Sequence, residues 1–199
     1  MSTTTTSTHG LTVTGVPKMP LWLTILRVAA LVLSLGVLIA AAYHLSLLGG
    51  WSQYYVGSNP AGFLIFDSIF TFLILGGMLA AEFFAPHMYL RLLFVGALIL
   101  DAIFWLSAWA WAASWTSRYY SVYHAAGFGL YAELEAWGAS MLAGSVLGAF
   151  TWVVIIVITV FFVKACMDSP QDSSFSPRAP TDPEMGQPKP EGMSQPQYA

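Results

Sequence analysis

Apolar residues fall in four long, nearly uninterrupted blocks separated by short polar or aromatic stretches. The blocks run from about Leu21 to Leu48, Phe63 to Phe84, Tyr89 to Trp115 and Ala139 to Val163. None alternates apolar and polar residues with the period of a half-buried strand, so helix is the expected conformation. About 20 helical residues cross a hydrocarbon core of roughly 30 Å, and every block reaches that length. The first and third exceed it, which predicts tilt or helical extension beyond the core. Four spans place both chain ends on one side. A tight turn at 85–88 joins spans two and three. The connection at 49–62 is short, and the one at 116–138 is longer, Tyr-rich and expected to be partly helical at the interface.

Composition sharpens this into an all-α integral membrane bundle. Charged residues make up 9% of the chain and hydrophobic ones 57%, where a soluble domain carries about 25% charge. Only eight charged residues lie between Leu21 and Val163. A water-soluble enzyme and a nucleic-acid partner are both excluded, since a pI of about 5.7 and scattered Lys/Arg leave no basic footprint. The single cysteine rules out a disulfide framework. Residues 1–20 begin with a Ser/Thr-rich run, and 168–199 hold seven of the eleven prolines. Both segments lack the apolar surface needed to offset ordering entropy and are expected to be disordered tails flanking a domain at 21–167.

Basic residues near the span ends orient the bundle. Lys18, Arg27, Arg91 and Lys164 gather on the side of the termini, against Arg118 alone on the other. The positive-inside rule therefore puts both termini in the cytoplasm. Trp51, Tyr54, Tyr55, Trp115, Tyr119, Tyr120 and Trp137 form the expected outer aromatic belt.

Polar groups inside spans are the candidates for chemistry. Arg27, Glu82 and Arg91 lie at the inner ends of helices one to three, forming a charge cluster that pairing and snorkelling would satisfy. Asp67 lies shallow in helix two, and Asp101 lies near the middle of helix three, where a carboxylate costs about 2.5–3.5 kcal/mol to insert. Two readings follow: carboxyls that fix helix packing, or a proton or cation relay. Protonation or hydrogen bonds from Ser, Thr or Tyr on neighbouring helices would lower the cost. His44, His87 and His124 are dispersed, and no metal or hydrolase pattern collects on one side, so no catalytic, cofactor or metal residue is assigned.

Small residues supply packing faces. Ser140, Gly144 and Gly148 form one stripe on helix four and include a GxxxG, read either as packing within the monomer or as a homo-oligomer contact. The tryptophans of the third helix, Trp105 with Trp109 and Trp111 with Trp115, are expected to pack and anchor. Cys166, three residues beyond the fourth block, is where S-palmitoylation occurs, with an inert thiol as the alternative. Ser169-Pro170 and Ser176-Pro177 offer generic phosphorylation sites.

Arg27, the run Leu100-Asp101-Ala102-Ile103-Phe104-Trp105-Leu106 and the run Gly148-Ala149-Phe150-Thr151-Trp152 make the chain similar to the MARVEL-domain family, in its fungal members. The resemblance covers about Leu21 to Met167 and rests on topology and texture. It implies an M-shaped four-helix bundle without enzymatic activity, acting in membrane apposition, vesicle traffic or the organisation of sterol- or sphingolipid-rich domains. The plasma membrane, or a secretory vesicle membrane, is the location it implies. Claudin-like, tetraspanin-like and connexin-like proteins carry extracellular cysteines that this chain lacks.

Overall fold

A computed structural model describes residues 15–17, 19–47, 60–85, 89–125 and 132–168. Within them the chain forms four helices: α1 (Leu21–Ser46), α2 (Ala61–Phe84), α3 (Arg91–Ala125) and α4 (Ala132–Asp168). All four are long and apolar enough to cross a membrane, the architecture of a multi-pass membrane protein. Prolines precede two of them, Pro20 before α1 and Pro60 before α2. A proline lacks the N–H that a helix start leaves without a partner, so these positions suit it.

Neighbouring helices run antiparallel in the ring α1–α2–α3–α4, which closes through α4 on α1, while α2 and α4 touch only lightly across the diagonal. The buried positions of α1 are Leu23, Arg27, Ala30, Ser34, Val37, Ala41 and His44. Their steps of four and three average 3.5 residues, the spacing of a left-handed helix seam. On α2, Leu64, Ser68, Thr71, Leu75 and Met78 repeat it. Large apolar side chains such as Val32, Leu73, Leu93 and Phe150 point outward from all four helices. Each helix is thus apolar outside and carries a mixed, tightly packed seam inside.

The helix bounds depart from the apolar blocks mainly at one end of the bundle. The third helix continues to Ala125 and the fourth begins at Ala132, so most of the connection expected at 116–138 is helix continuous with the spans. At 35 and 37 residues these helices measure about 52 and 55 Å. Aromatic packing holds the extension together. Trp115 stacks on Tyr119 with ring centroids 5.3 Å apart, and Trp137 meets both edge-on at 4.9 and 5.1 Å. Gly138 is required here, because a Cβ on it would fall 2.5 Å from the Tyr119 ring. The fourth helix also runs past Val163 to Asp168.

Several sequence-based expectations lie outside the described residues. These include Lys18, Trp51, Tyr54, Tyr55, His87, both serine–proline sites and the tails at 1–14 and 169–199; the part of the expected N-terminal tail at 15–17, 19 and 20 is described and is ordered, with Gly15 bonded to Tyr89 and Arg91.

Candidate functional site

Polar side chains inside the bundle fall on three levels. The first is at the end that carries both termini, where Arg27 is fully buried and its Nη1 donates to Glu82 Oε2 at 2.8 Å. The Arg27 guanidinium also lies 5.8 Å from the centroid of the Phe162 ring, a cation–π contact between α1 and α4. Arg91 lies at the same end of the bundle. Its Nε donates to the carbonyl of Gly15 at 2.8 Å, while the Gly15 N–H donates to the Tyr89 carbonyl at 3.0 Å. Gly15 has φ 113°, in the left-handed region that a side chain would resist. The segment ahead of α1 is thereby fastened under α3. Burial pushes the Tyr89 phenol above its ordinary pKa, and neighbouring Arg27 only partly offsets this.

Cys166 belongs to this level too. It is fully buried, on the inner face of the last turns of α4. The expected juxtamembrane position changes because the helix continues beyond Val163 and turns the thiol into the core. Acylation at Cys166 would require this last turn of α4 to open.

The middle level joins α1, α2 and α3. Ser34 Oγ donates to the Ser68 carbonyl at 3.3 Å, and Ser68 Oγ to the Leu64 carbonyl at 2.8 Å. Thr71 Oγ1 donates to Asp101 Oδ1 at 2.9 Å and accepts from Trp105 Nε1 at 2.7 Å. Thr71 is therefore the hinge of a three-member chain that runs from an indole to a carboxyl. Asp67 lies one turn before Thr71 on the same face of α2 and within electrostatic reach of Asp101. Both aspartates are fully buried. Asp101 Oδ2 and both oxygens of Asp67 have no hydrogen-bond partner. The two carboxyls singled out in the sequence, 34 residues apart in the chain, are both neighbours of Thr71, Asp101 through its hydrogen bond and Asp67 through one turn of α2.

At the opposite end His44 is buried between two tryptophans, stacked on Trp137 at 4.9 Å and edge-on to Trp115 at 5.3 Å. Its Nδ1–H donates to the Trp137 carbonyl at 3.0 Å and lies 3.2 Å from Ser140 Oγ. Ser140 Oγ itself donates to the same carbonyl at 2.8 Å.

The small-residue stripe of α4 packs inside this same bundle. Gly144 faces Leu64 and Ala40, and Gly148 faces Trp105 and Trp109 closely enough that an added Cβ would lie 3.2 Å from each tryptophan. Ser140 is tied to His44. The stripe is thus occupied by packing within its own chain.

The cost of charge in lipid singles out Asp67, Asp101, Arg27 and Glu82 in the sequence; it does not single out Thr71 or Gly15, and it leaves Trp105 as a packing residue and His44 as an isolated histidine. The four-residue steps Asp67–Thr71 and Asp101–Trp105 were visible as a signal that matched polar pairs share a face. Among the described residues no group of three or more His, Cys, Asp or Glu is placed to hold a metal ion. A shallow, almost wholly apolar groove of about 250 Å³ lies between α3 and α4, lined by Ile99, Ile103, Leu106, Trp152 and Ile156 among others. No family model matches the chain, and neither a curated protein nor a solved structure matches it.

Proposed function

We propose that the chain is a non-enzymatic, MARVEL-like membrane protein that organises lateral membrane domains, or takes part in membrane apposition and vesicle traffic. Both termini are assigned to the cytoplasm, and the plasma membrane or a secretory vesicle membrane is its place of action. The observation that carries this reading is how the two kinds of surface are divided. The interior polar groups Arg27, Glu82, Thr71, Trp105 and His44 bond to one another or to backbone within the chain, whereas large apolar side chains line the outside of every helix. A surface of that kind has lipid as its main ligand. The apolar runs within α3 and α4, residues 91–115 and 139–163, are about 37 Å long, more than a hydrocarbon core of about 30 Å. Mismatch costs of fractions of a kcal/mol per Å sort such proteins among membranes of different thickness. The α3–α4 groove offers a seat for an acyl chain or sterol ring.

The test is the lateral distribution of a tagged full-length protein in cells. Clustering that disperses on sterol depletion supports the reading. Uniform distribution that sterol depletion leaves unchanged rejects it.

A second reading, a small proton- or cation-conducting protein, is favoured by one observation, the juxtaposition of Asp67 and Asp101. Flux through reconstituted liposomes that Asp101→Asn abolishes supports it. No flux, or flux that survives the substitution, rejects it.

A further inference from the structure

The middle level holds two carboxyl groups and too few partners for them. Asp67 and Asp101 are both fully buried, yet the four oxygens together accept one hydrogen bond, from Thr71. Asp67 accepts none. A carboxylate with no donor and no cation is among the least tolerable groups in an apolar interior. Two ionised carboxylates in the same buried interior, Asp67 one helical turn from the Thr71 that bonds Asp101, are worse, since each disfavours the charge of the other.

The charged side chains within the described residues offer no relief at this level. On α1 the group presented here is Ser34, while Arg27 is engaged with Glu82 at one end and His44 with Trp137 at the other. On α2 the only other acid is Glu82, and on α3 the cations Arg91 and Arg118 lie near the two ends. Between Gly144 and Thr151, the part of α4 that faces this level, no residue is titratable.

A metal cation does not suit the site. The helices are unbroken here, so backbone carbonyls remain in their own helical bonds and three carboxyl oxygens are too few to replace a hydration shell. A proton needs only one oxygen to hold it.

We infer that Asp67 and Asp101 form an intramembrane proton-binding pair in which Asp67 carries the proton and Asp101, supported by Thr71, is its acidic neighbour. The ligand is H⁺, exchanged with water without covalent change, and the pair carries one negative charge fewer than its composition implies. Trp105 completes the arrangement by fixing the Thr71 hydroxyl so that its own proton points at Asp101. The inference concerns occupancy and needs no conduction, so it stands apart from both readings of function.

The direct measurement is infrared spectroscopy of the full chain in lipid at neutral pH, with and without ¹³C-aspartate labelling. The expected result is a protonated-carboxyl stretching band that the label shifts and that D₂O lowers. Asp67→Asn, isosteric with the protonated acid, folds and removes the band; Thr71→Val keeps the band and moves its position. The labelled parent needs no substitution, so a variant that fails to fold leaves the test intact. An absent aspartic-acid band in the parent overturns the inference, as does a band that Asp67→Asn leaves unchanged. A band that collapses when sodium or potassium chloride is added at constant pH also overturns it, since the pair would then be a cation site.

Discussion

Arg27 and Glu82 are 55 residues apart in the chain and 2.8 Å apart in the fold, and their contact closes α1 against α2 at the end bearing the termini. Arg27 is fully buried and the Glu82 side chain is 21% exposed. Removing one member of such a pair leaves a buried charge without compensation, which costs about 3–5 kcal/mol in fully buried cases. Because Glu82 is partly exposed, Glu82→Ala is expected to cost about 3 kcal/mol, at the lower end of that range. The double variant Arg27→Met/Glu82→Leu recovers most of the loss. Unfolding of the purified protein in mixed micelles measures both, and equal losses in the single and double variants would show that the pair contributes little.

Thr71 links Asp101 to Trp105. Thr71→Val removes one donor and one acceptor together, and the expected loss is about 1–2 kcal/mol. In a double-mutant cycle, Thr71→Val and Trp105→Phe couple by about 0.6–1.7 kcal/mol. Additive effects would mean that the hydrogen bond from indole to hydroxyl is not made in solution.

Gly148 and Gly144 differ in the room around them. An alanine Cβ at Gly148 meets Trp105 and Trp109 at 3.2 Å, whereas one at Gly144 meets Leu64 at an ordinary 3.4 Å. Gly148→Ala should destabilise the bundle by about 1–3 kcal/mol through overpacking, and Gly144→Ala by clearly less. Gly77→Ala, which meets nothing within 4 Å, should leave stability unchanged. Size in detergent stays constant across folded members of the series. A shift in size with Gly144→Ala alone would return the stripe to the surface.

Cys166 is inaccessible as long as α4 keeps its last turns in the bundle. A maleimide reagent should label it slowly in the folded protein and at once after unfolding in dodecyl sulfate. Rapid labelling of the folded protein, or recovery of an acylated Cys166 from cells, would place this turn outside the core.

The four spans were legible because length and apolarity alone define them, and Asp67 and Asp101 because a carboxyl in such a run stands out by cost. Helix rotation was not legible. With Leu, Ile, Val and Phe on all sides, the amphipathic signal that assigns a face is weak, so the partners of Asp101 could be named by type and not by number. Arg91 was grouped with Arg27 and Glu82 by depth, and its bond to Gly15 depends on a segment that lies ahead of the first span. The extensions around Trp115 and Trp137 are legible only as a partly helical interfacial connection, because Tyr, Ser, Arg and Glu interrupt the apolar run there. Pairing of α3 with α4 through stacked rings, a tertiary effect, keeps them helical.

Sorting by membrane thickness rests on the apolar runs of α3 and α4 being longer than a standard hydrocarbon core. The decisive measurement is the partition of the fluorescently tagged full chain in giant vesicles with coexisting thick, sterol-rich and thin, sterol-poor phases. Enrichment in the thick phase, lost when both phases are matched in thickness, is the predicted result. Equal partition, or preference for the thin phase, would contradict it.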